Sequence, residues 1–218
     1  MISDPEFYTI TDPQLVKYCR SYSSRPQLFL DEVAHTTKEK VGMEIMLSGT
    51  YLGQFIKMMS SILRPQNILE IGTFTGYGAL CLLEGADSNS TIYTIEKSLE
   101  HAKIAKDHFE AYDKSNQITL CAGDASEIIA DLDIEWDLVF IDAAKKQYST
   151  YYDLIFPNLK SGGVILADNV LWKGKVGHPQ NDNLGLGLDA FNKKVYEDAR
   201  VDNIILPIDD GVHFIIKK

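Results

Sequence analysis

The sequence predicts an α/β fold in which helices cover both faces of a mainly parallel sheet and a helical N-terminal extension precedes the sheet. The first observation is an alternation, from residue 66 onward, of short apolar runs with segments of helical periodicity, which is typical of βαβ units. The second is that apolar residues before this point recur only at helical spacing. Because no repeat or low-complexity tract interrupts the chain, we interpret residues 1–218 as a single domain, with 1–65 as the extension and 66–218 as the sheet.

Three helices are predicted in the extension. Asp12 followed by Pro13 is typical of a helix start and predicts a short helix through Tyr18. A second helix is predicted over residues 26–37. A third is predicted before Pro65 from apolar side chains at helical spacing: Leu52, Phe55, Ile56, Met59, Ile62 and Leu63.

Five parallel strands and their connecting helices follow. The strands are predicted at the apolar runs Ile68–Ile71, Thr91–Ile95, Ile118–Cys121, Leu138–Ile141 and Val164–Ala167. Ser98 and Asp124 are predicted to cap two of the connecting helices, since such side chains accept hydrogen bonds from free backbone N–H groups. Each helix returns the chain, so that the next strand runs parallel.

The C-terminal part departs from this alternation. A Gly- and Asn-rich loop, 173–187, follows the fifth strand and precedes a further amphipathic helix. The last two apolar runs, 204–206 and 212–216, flank an Asp-Asp-Gly turn and predict a hairpin. We therefore expect the last strand to run antiparallel to its neighbours.

The composition argues against nucleic acids and membranes as partners. The 31 acidic and 21 basic residues leave a formal net charge of −10, whereas a non-specific nucleic-acid binder needs clustered Lys and Arg, and anionic lipids repel an acidic surface. No apolar run approaches the ~20 residues of a membrane-spanning helix, and the first residues lack the blocks of a signal peptide. The three cysteines have no CxxC spacing, which argues against zinc. We therefore expect a cytoplasmic protein.

All five predicted parallel strands end in a carboxylate or a glycine. In open α/β sheets, ligands bind beyond the carboxyl ends of the strands, and turn chemistry explains one such residue more readily than five in register. The residues are Glu70 with Gly72, Glu96, Gly123 with Asp124, Asp142, and Asp168 with Asn169. This pattern predicts a ligand site at that edge of the sheet.

The loop after the first strand, ILEIGTFTGYG (residues 68–78), indicates the kind of ligand. Its glycines let the backbone approach a ligand closely. However, Phe74 and Tyr77 stand where the GxGxxG motif requires glycine, and no P-loop motif is present. A dinucleotide or a nucleoside triphosphate is therefore disfavoured.

Two acids near this loop suit a different adenosine ligand. Glu96 is placed to accept hydrogen bonds from both ribose hydroxyls, and Glu70 is placed to receive an ammonium group. An adenosine that carries a cationic amino acid instead of phosphates satisfies both acids. The sequence therefore predicts S-adenosylmethionine as the cofactor.

Several motifs, taken together, resemble a known family. They are Met46 with Gly53-Gln54-Phe55, then ILEIGTFTGYG, GDA, VFIDAAKKQY, ADNVLW and LPIDDG, and they span nearly the whole chain. The sequence resembles the cation-dependent O-methyltransferases of the catechol and caffeoyl-CoA type. The resemblance implies a Rossmann-like methyltransferase sheet of order 3-2-1-4-5-7-6 with strand 7 antiparallel. It also implies S-adenosylmethionine and a divalent cation as cofactors, a small phenolic substrate, and a homodimer.

The same resemblance implies roles for individual residues. The cofactor site would be lined by Met46, Ser48, Glu70, Gly72, Thr73, Tyr77, Gly78, Glu96, Asp124, Ala125 and Asp142. The cation would be held by Asp142, Asp168 and Asn169, whose oxygen donors suit Mg²⁺, and also Mn²⁺ or Ca²⁺, rather than zinc. An octahedral ion would keep about three positions open for a vicinal diol and water.

Lys145 would act as the general base. It lies three residues after Asp142, just past the fourth strand, and a nearby divalent cation is expected to lower the pKa of its amine. Trp172 follows the metal ligands closely, and two interpretations stay open: a wall of the acceptor pocket or a packing residue. Three tyrosines are expected only to pack their helix: Tyr148, Tyr151 and Tyr152.

Three positions depart from the family pattern. Gly78 replaces a common serine, so that a hydroxyl contact to the methionine carboxylate is lost, and Tyr51 stands where an acidic residue commonly precedes GQF. Ala144 replaces the second carboxylate of the DADK form, which affects the identity of the acceptor more than the chemistry. The N-terminal helices and the loop 173–187 are expected to shape the acceptor pocket.

The predicted function is S-adenosylmethionine- and metal-dependent methyl transfer to a hydroxyl of a catechol-like phenol. A non-catalytic S-adenosylmethionine-binding module is one alternative, and the complete set of metal ligands and base argues against it. A nicotinamide-dependent oxidoreductase is another, and the failed GxGxxG motif and the antiparallel hairpin argue against it.

Overall fold

The computed structural model describes residues 12–43, 46–177 and 182–218, and in these ranges seven strands form one sheet. The strands are β1 (Asn67–Ile71), β2 (Thr91–Glu96), β3 (Ile118–Ala122), β4 (Trp136–Ile141), β5 (Leu159–Ala167), β6 (Val201–Leu206) and β7 (Val212–Lys217). Their order is β3-β2-β1-β4-β5-β7-β6, with β1 to β5 parallel and β7 antiparallel to β5 and β6. The predicted fold class, strand order and antiparallel last strand are confirmed.

Helices precede the sheet and cover both of its faces. They are α1 (Pro13–Ser21), α2 (Leu28–Val41), α3 (Gly49–Leu63), α4 (Tyr77–Gly85), α5 (Leu99–Tyr112), α6 (Ala125–Asp131), α7 (Tyr148–Ile155) and α8 (Asn183–Glu197). Asp12 caps α1 by accepting from the backbone N–H of Gln14 at 2.7 Å. Helix α2 extends four residues beyond its predicted end at residue 37. It ends at Val41, because Gly42 adopts the left-handed conformation that terminates helices. In the described ranges, none of the helices has the length and apolar surface needed to span a bilayer.

The sheet is buried on both faces because helices pack on each of them. One core joins Leu69, Ile71, Val139 and Ile141 to side chains of α6, α7 and α8. The other joins Ile68, Leu138 and Phe140 to side chains of α2, α3, α4 and α5. Because side chains alternate along a strand, Glu70 lies on the same face of β1 as Ile68.

The register of the parallel strands aligns the predicted site residues. Ile71 pairs with both Ile95 and Ile141, and Ile141 pairs with Ala167. The residues that follow these four positions therefore lie side by side at the carboxyl edge of the sheet: Gly72, Glu96, Asp142 and Asp168.

Candidate active site

A cavity of about 630 Å³ opens at the carboxyl edge of the sheet. Most of the predicted site residues line it: Met46, Ser48, Gly72, Glu96, Asp124, Ala125, Asp142, Lys145, Asp168, Asn169 and Trp172. Four predicted cofactor residues lie outside the lining: Glu70, Thr73, Tyr77 and Gly78. The fold thus brings the predicted metal ligands, the predicted base and most predicted cofactor residues to one place.

The glycine loop and Glu96 form one wall of this cavity. Gly72 has a φ of +102°, and a Cβ there would clash with the carbonyl oxygen of Asp142, so only glycine lets β1 and β4 end this close together. Oε2 of Glu96 accepts from the backbone N–H of Phe74 at 2.7 Å, and Oε1 accepts from that of Ser98 at 2.8 Å. Each carboxylate oxygen keeps a further lone pair, so Glu96 is held in place and can still accept from ribose hydroxyls.

Asp124 is held in a similar way beside the loop. Its Oδ1 accepts from the backbone N–H of Ser126 at 2.9 Å, and Lys97 donates to Oδ2 at 3.0 Å. The bond from Lys97, followed by that from Ser126, holds the pKa of Asp124 below its usual value. Asp124 therefore remains a carboxylate, and Ala125 opens α6 at the cavity.

Glu70 lies beneath this wall, on the face of β1 that packs against α4. It is 1% exposed, and the hydroxyl of Thr94 donates to its carboxyl group. The Thr94 hydroxyl oxygen also lies 2.5 Å from that of Thr73. Burial raises the pKa of Glu70 to about 8, although the bond from Thr94 opposes this shift. The contact of Glu70 with an ammonium group stays a prediction.

Tyr77 and Gly78 are the first two residues of α4, directly after the glycine loop. A Cβ at Gly78 would clash with Oε1 of Glu70, so the buried carboxyl group occupies the space that a side chain at this position would need. A Cβ at Gly53 of α3 would lie 3.1 Å from the ring of Tyr77, so this ring packs closely against α3. The predicted roles of Tyr77, Gly78 and Thr73 in cofactor binding remain predictions.

Lys145 lies just past β4, in the short 3₁₀ turn Lys145–Gln147, and its side chain is largely buried. Its Nζ donates to Oδ1 of Asp142 at 2.7 Å and to the hydroxyl of Tyr148 at 3.0 Å. Burial lowers the pKa of Lys145, but Asp142, Tyr148 and Asp168 together raise it above its usual value. The lowering expected from the sequence depends on a divalent cation, whose charge would oppose that of the carboxylates.

Asp168 lies at the end of β5, beside Asp142, at the carboxyl edge of the sheet. The residue is buried, and its Oδ1 makes no hydrogen bond with the residues that the structure describes. Burial and the neighbouring charge of Asp142 raise the pKa of Asp168 well above its usual value. Within the described ranges, no group of three or more His, Cys, Asp or Glu side chains is arranged to hold a metal. The predicted set consists of two Asp and one Asn, and its three oxygen donors fit a divalent cation.

Trp172 and the β6–β7 turn form the other end of the cavity. Trp172 lines the cavity and also packs against the core, so both interpretations of this residue are compatible with its position. Asp210 accepts from the backbone N–H of Lys173 at 2.6 Å, and burial raises the pKa of Asp210 to about 6. Arg20 of α1 donates to Asp209 at 3.2 Å, which brings the N-terminal extension to this end.

One family model, described as O-methyltransferase, matches residues 20–218 of this chain. The chain belongs to the O-methyltransferase family. A protein of Dictyostelium discoideum named probable caffeoyl-CoA O-methyltransferase 2 is 30% identical over 211 residues, which cover 93% of this chain and 91% of that relative. The catechol O-methyltransferase of Niastella koreensis is 28% identical over 172 residues, which cover 77% of this chain and 78% of the relative. The crystal structure of the SAH-bound methyltransferase PaMTH1 of Podospora anserina has a TM-score of 0.88 and 30% identity and covers 94% of both chains.

These matches confirm that the protein is an O-methyltransferase, and the structure adds cavity residues that sequence reasoning missed. Phe74 and His101 form an edge-to-face pair with ring centroids 4.8 Å apart, and both line the cavity. Gln147 and Tyr151 also line it, and the Tyr151 hydroxyl donates to Gln147 at 2.5 Å. Only the positions of these residues in the chain could have indicated them: Phe74 lies in the glycine loop, and Tyr151 lies one helical turn after Gln147.

Proposed function

We propose that this O-methyltransferase transfers the methyl group of S-adenosylmethionine to a hydroxyl of a small catechol-like phenol, with a divalent cation and with Lys145 as the general base. The observation that carries the proposal is that Glu96, the Asp142–Lys145 pair and the unbonded oxygen of Asp168 meet at one cavity. The relatives named for caffeoyl-CoA and catechol, and the SAH-bound Podospora methyltransferase, support the donor and the class of acceptor.

The methyl donor is assigned to the donor end of the cavity. The donor end comprises Gly72, Phe74, Glu96, Asp124 and Ala125. Glu96 accepts from the ribose hydroxyls, since its oxygens keep lone pairs after binding the backbone. Lys97 also lines the cavity here, and its amine is paired with Asp124. A donor end without an unpaired lysine suits an uncharged ribose and a cationic sulfonium better than phosphates. Met46 and Ser48 line the cavity just before α3.

Asp142, Asp168 and Asn169 would hold the divalent cation. Their carboxylate and amide oxygens are the hard donors that Mg²⁺ and Mn²⁺ prefer. A cation would offset the repulsion between two carboxylates that contributes to the raised pKa of Asp168. When bound, it would supply Lewis-acid polarisation that makes the hydroxyl of the acceptor more acidic.

Lys145 is assigned the proton transfer. Its protonated amine must first lose a proton, after which Nζ has a lone pair available. The amine then takes the hydroxyl proton of the acceptor while the oxygen–methyl bond forms and the methyl–sulfur bond breaks. The products are the methyl ether, S-adenosylhomocysteine and the protonated lysine. Because the donor carries an activated methyl group, the main contribution of the protein is to position the two reactants.

The charge of the acceptor end favours a small phenol over a coenzyme A thioester. The acceptor end comprises four carboxyl groups and two lysines among its residues, which are Asp142, Lys145, Asp168, Asn169, Trp172, Lys173, Asp209 and Asp210. Proteins bind phosphates with Arg and Lys. Here Lys145 contacts Asp142, and the amine of Lys173 lies 5.9 Å from the centre of the Trp172 ring. Arg20, which lies outside the lining, contacts Asp209. Outside the described ranges, the sequence contains neither Lys nor Arg. We therefore favour an uncharged or cationic catechol over a polyanionic thioester.

Methyl transfer from labelled S-adenosylmethionine to catechol, caffeate and caffeoyl-CoA tests the proposal. Each acceptor is measured in EDTA and again after addition of Mg²⁺ or Mn²⁺. We expect activity with the small catechol that EDTA abolishes and either ion restores. Full activity in EDTA would exclude the cation, and faster turnover of caffeoyl-CoA than of catechol would exclude the small acceptor.

Asp168→Ala separates catalysis from donor binding in the same experiment. We expect it to lose turnover while it binds S-adenosylmethionine with nearly unchanged affinity, because Asp168 belongs to the acceptor end. If the wild-type protein bound the donor but methylated none of the three phenols under any condition, the non-catalytic binding module would be favoured instead.

A further inference from the structure

The hydroxyl group of Tyr148 makes contacts that a packing role does not explain. Tyr148 is the first residue of α7, and its side chain is completely buried. Its oxygen lies 3.0 Å from Nζ of Lys145, 3.0 Å from the backbone carbonyl oxygen of Asp168 and 3.2 Å from that of Ile141. The hydroxyl therefore joins the proposed base to the ends of β4 and β5.

The number of hydrogens determines the direction of these bonds. A tyrosine hydroxyl has one hydrogen, and it goes to a backbone carbonyl of Asp168 or Ile141, because a carbonyl oxygen only accepts. The hydroxyl oxygen of Tyr148 is then the acceptor for Lys145, whose amine is the donor.

The amine of Lys145 is left with one free direction. A neutral amine has two hydrogens and one lone pair; Asp142 accepts one hydrogen and Tyr148 accepts the other. The lone pair takes the remaining position. Because Lys145 lines the cavity and both of its hydrogens are bound by neighbouring side chains, this position is the one available to a bound acceptor.

We propose that Tyr148 is a positioning residue that fixes the rotation of the Lys145 amine, so that its lone pair points at the acceptor hydroxyl. The inference rests on the proposed function, in which Lys145 is the base. Asp142 alone would leave the amine free to turn about a single hydrogen bond, since an ammonium or amine group rotates easily at the end of its stem. Tyr148 is not part of the cavity lining, and Lys145 is the lining side chain that its hydroxyl contacts.

Tyr152, one turn further along α7, provides a matched control. It is buried, and its ring packs edge-to-face on Phe191, as the ring of Tyr148 does. The hydroxyl of Tyr152 donates to Asp198 at 2.9 Å, and neither Tyr152 nor Asp198 lines the cavity. Replacing either tyrosine with Phe removes one bonded hydroxyl and keeps the ring in the core.

The test measures methyl transfer to catechol with Mg²⁺ by Tyr148→Phe, Tyr152→Phe, Lys145→Ala and the double variant Lys145→Ala/Tyr148→Phe. We expect Tyr148→Phe to lower kcat by roughly 10- to 100-fold, as for a misplaced catalytic group, with little change in either KM. Tyr152→Phe should keep kcat near the wild-type value, and thermal unfolding should shift similarly in the two Phe variants. In the Lys145→Ala background, Tyr148→Phe should have no further effect, because the amine that it positions is gone.

Each other outcome identifies what is wrong. Unchanged kcat in Tyr148→Phe, with slow turnover in Lys145→Ala, overturns the positioning role and leaves the proposed function intact. Wild-type kcat in Lys145→Ala overturns the base assignment and the inference together. If kcat falls equally in Tyr148→Phe and Tyr152→Phe, the effect of Tyr148→Phe is due to packing and the inference is overturned. The same conclusion follows if kcat of the double variant is lower than that of Lys145→Ala.

Discussion

The donor end and the acceptor end of the cavity hold their carboxylates in opposite ways. Glu96 at the donor end accepts from two backbone N–H groups, and Asp124 accepts from one and from Lys97. Asp168 and Asp210 at the acceptor end are buried, and burial raises the pKa of both. The donor end is therefore electrostatically satisfied before a ligand binds, whereas the acceptor end carries buried carboxyl groups that its own hydrogen bonds do not fully compensate.

This difference predicts which quantity each end controls. Preformed hydrogen bonds at the donor end need little reorganisation on binding, so substitutions there should change the affinity for the methyl donor. In the proposed function, a cation and the reactants balance the charge at the acceptor end when they assemble, so substitutions there should change the rate constant. Four experiments can break or sharpen this comparison.

Lys145→Ala, at the acceptor end, is expected to have the largest effect. Loss of a general base lowers the rate constant by roughly 10²–10⁴-fold, and the affinity for S-adenosylmethionine should barely change because the amine acts on the acceptor. Lys146→Ala, at an exposed position, is the control and should resemble the wild type. Steady-state kinetics and titration calorimetry measure both. Equal rates in the two variants would assign activation of the hydroxyl to the cation alone.

Glu70→Gln tests a carboxyl group that lies beneath the donor end but resembles those of the acceptor end, because burial raises its pKa. Its folded-state pKa of about 8 is above the ordinary 4.5, so its contribution to stability is present below pH 4.5 and is lost as pH rises through 8. Because Gln stays uncharged, the variant should become the more stable protein as pH rises, by up to about 1.4 kcal/mol per pH unit. Denaturant unfolding at a series of pH values measures this.

The control for that experiment is Glu100→Gln, which makes the same substitution at an exposed position. Parallel pH dependences for wild type and Glu70→Gln would contradict the raised pKa. Calorimetry on the same variant decides the second question, because a large loss of donor affinity would assign Glu70 to the ammonium group as the motif predicts.

Glu96→Ala, at the donor end, should weaken binding of S-adenosylmethionine by roughly 1.5–3 kcal/mol, the usual range for hydrogen bonds to a charged group. The rate constant at saturating donor should change much less. Glu100→Ala, in the first turn of α5, is the matched control, and titration calorimetry measures both affinities. No binding of NAD is expected in the same assay. Unchanged donor affinity in a folded Glu96→Ala protein would remove Glu96 from the site and break the comparison at its donor end.

Gly78→Ala is expected to have the smallest effect, because it changes packing alone. Its Cβ would meet the carboxyl group of Glu70, and such overpacking destabilises by about 1–3 kcal/mol. Gly187→Ala in α8 is the control, since its Cβ would lie 3.9 Å from the nearest atom, in Lys146, and Ala is favoured over Gly in a helix. Denaturant unfolding should give opposite signs for the two variants. A neutral Gly78→Ala would mean that Glu70 moves aside easily.

The elements of the fold were predictable because local signals determine them. Four of the five parallel strands begin and end within two residues of the predicted apolar runs, and β5 begins five residues before its predicted start. Helix α3 ends at Leu63, and its C-cap Arg64 directly precedes Pro65. Asp12 and Ser98 cap their helices as their side-chain chemistry requires. The end of α2 was missed because the signal that terminates it, the left-handed Gly42, was not used.

The site was predictable to a lesser extent. Residues directly after the strands, such as Glu96, Asp142 and Asp168, line the cavity because parallel register brings strand ends together. Glu70 was assigned from its place at the end of the first strand, and the alternation of side chains along β1 puts it on the face that packs against α4, so its role stays a prediction. Tyr148 was treated as a packing residue, and its spacing from Lys145 gave no sign of where its hydroxyl would point.

By itself, the sequence determined the order of the elements, the edge of the sheet that carries the site and the chemical type of most residues there. Hydrophobic period, helix caps and chain-breaking residues act over a few positions, so these features are encoded locally. Only the tertiary structure decided that Arg20 contacts Asp209, 189 residues away, and that the Tyr148 hydroxyl joins Lys145 to the end of β5. It also decided that one buried oxygen of Asp168 has no hydrogen-bond partner among the described residues. Hydrogen-bond partners and pKa values depend on distances between remote residues and on depth of burial, which no local pattern specifies.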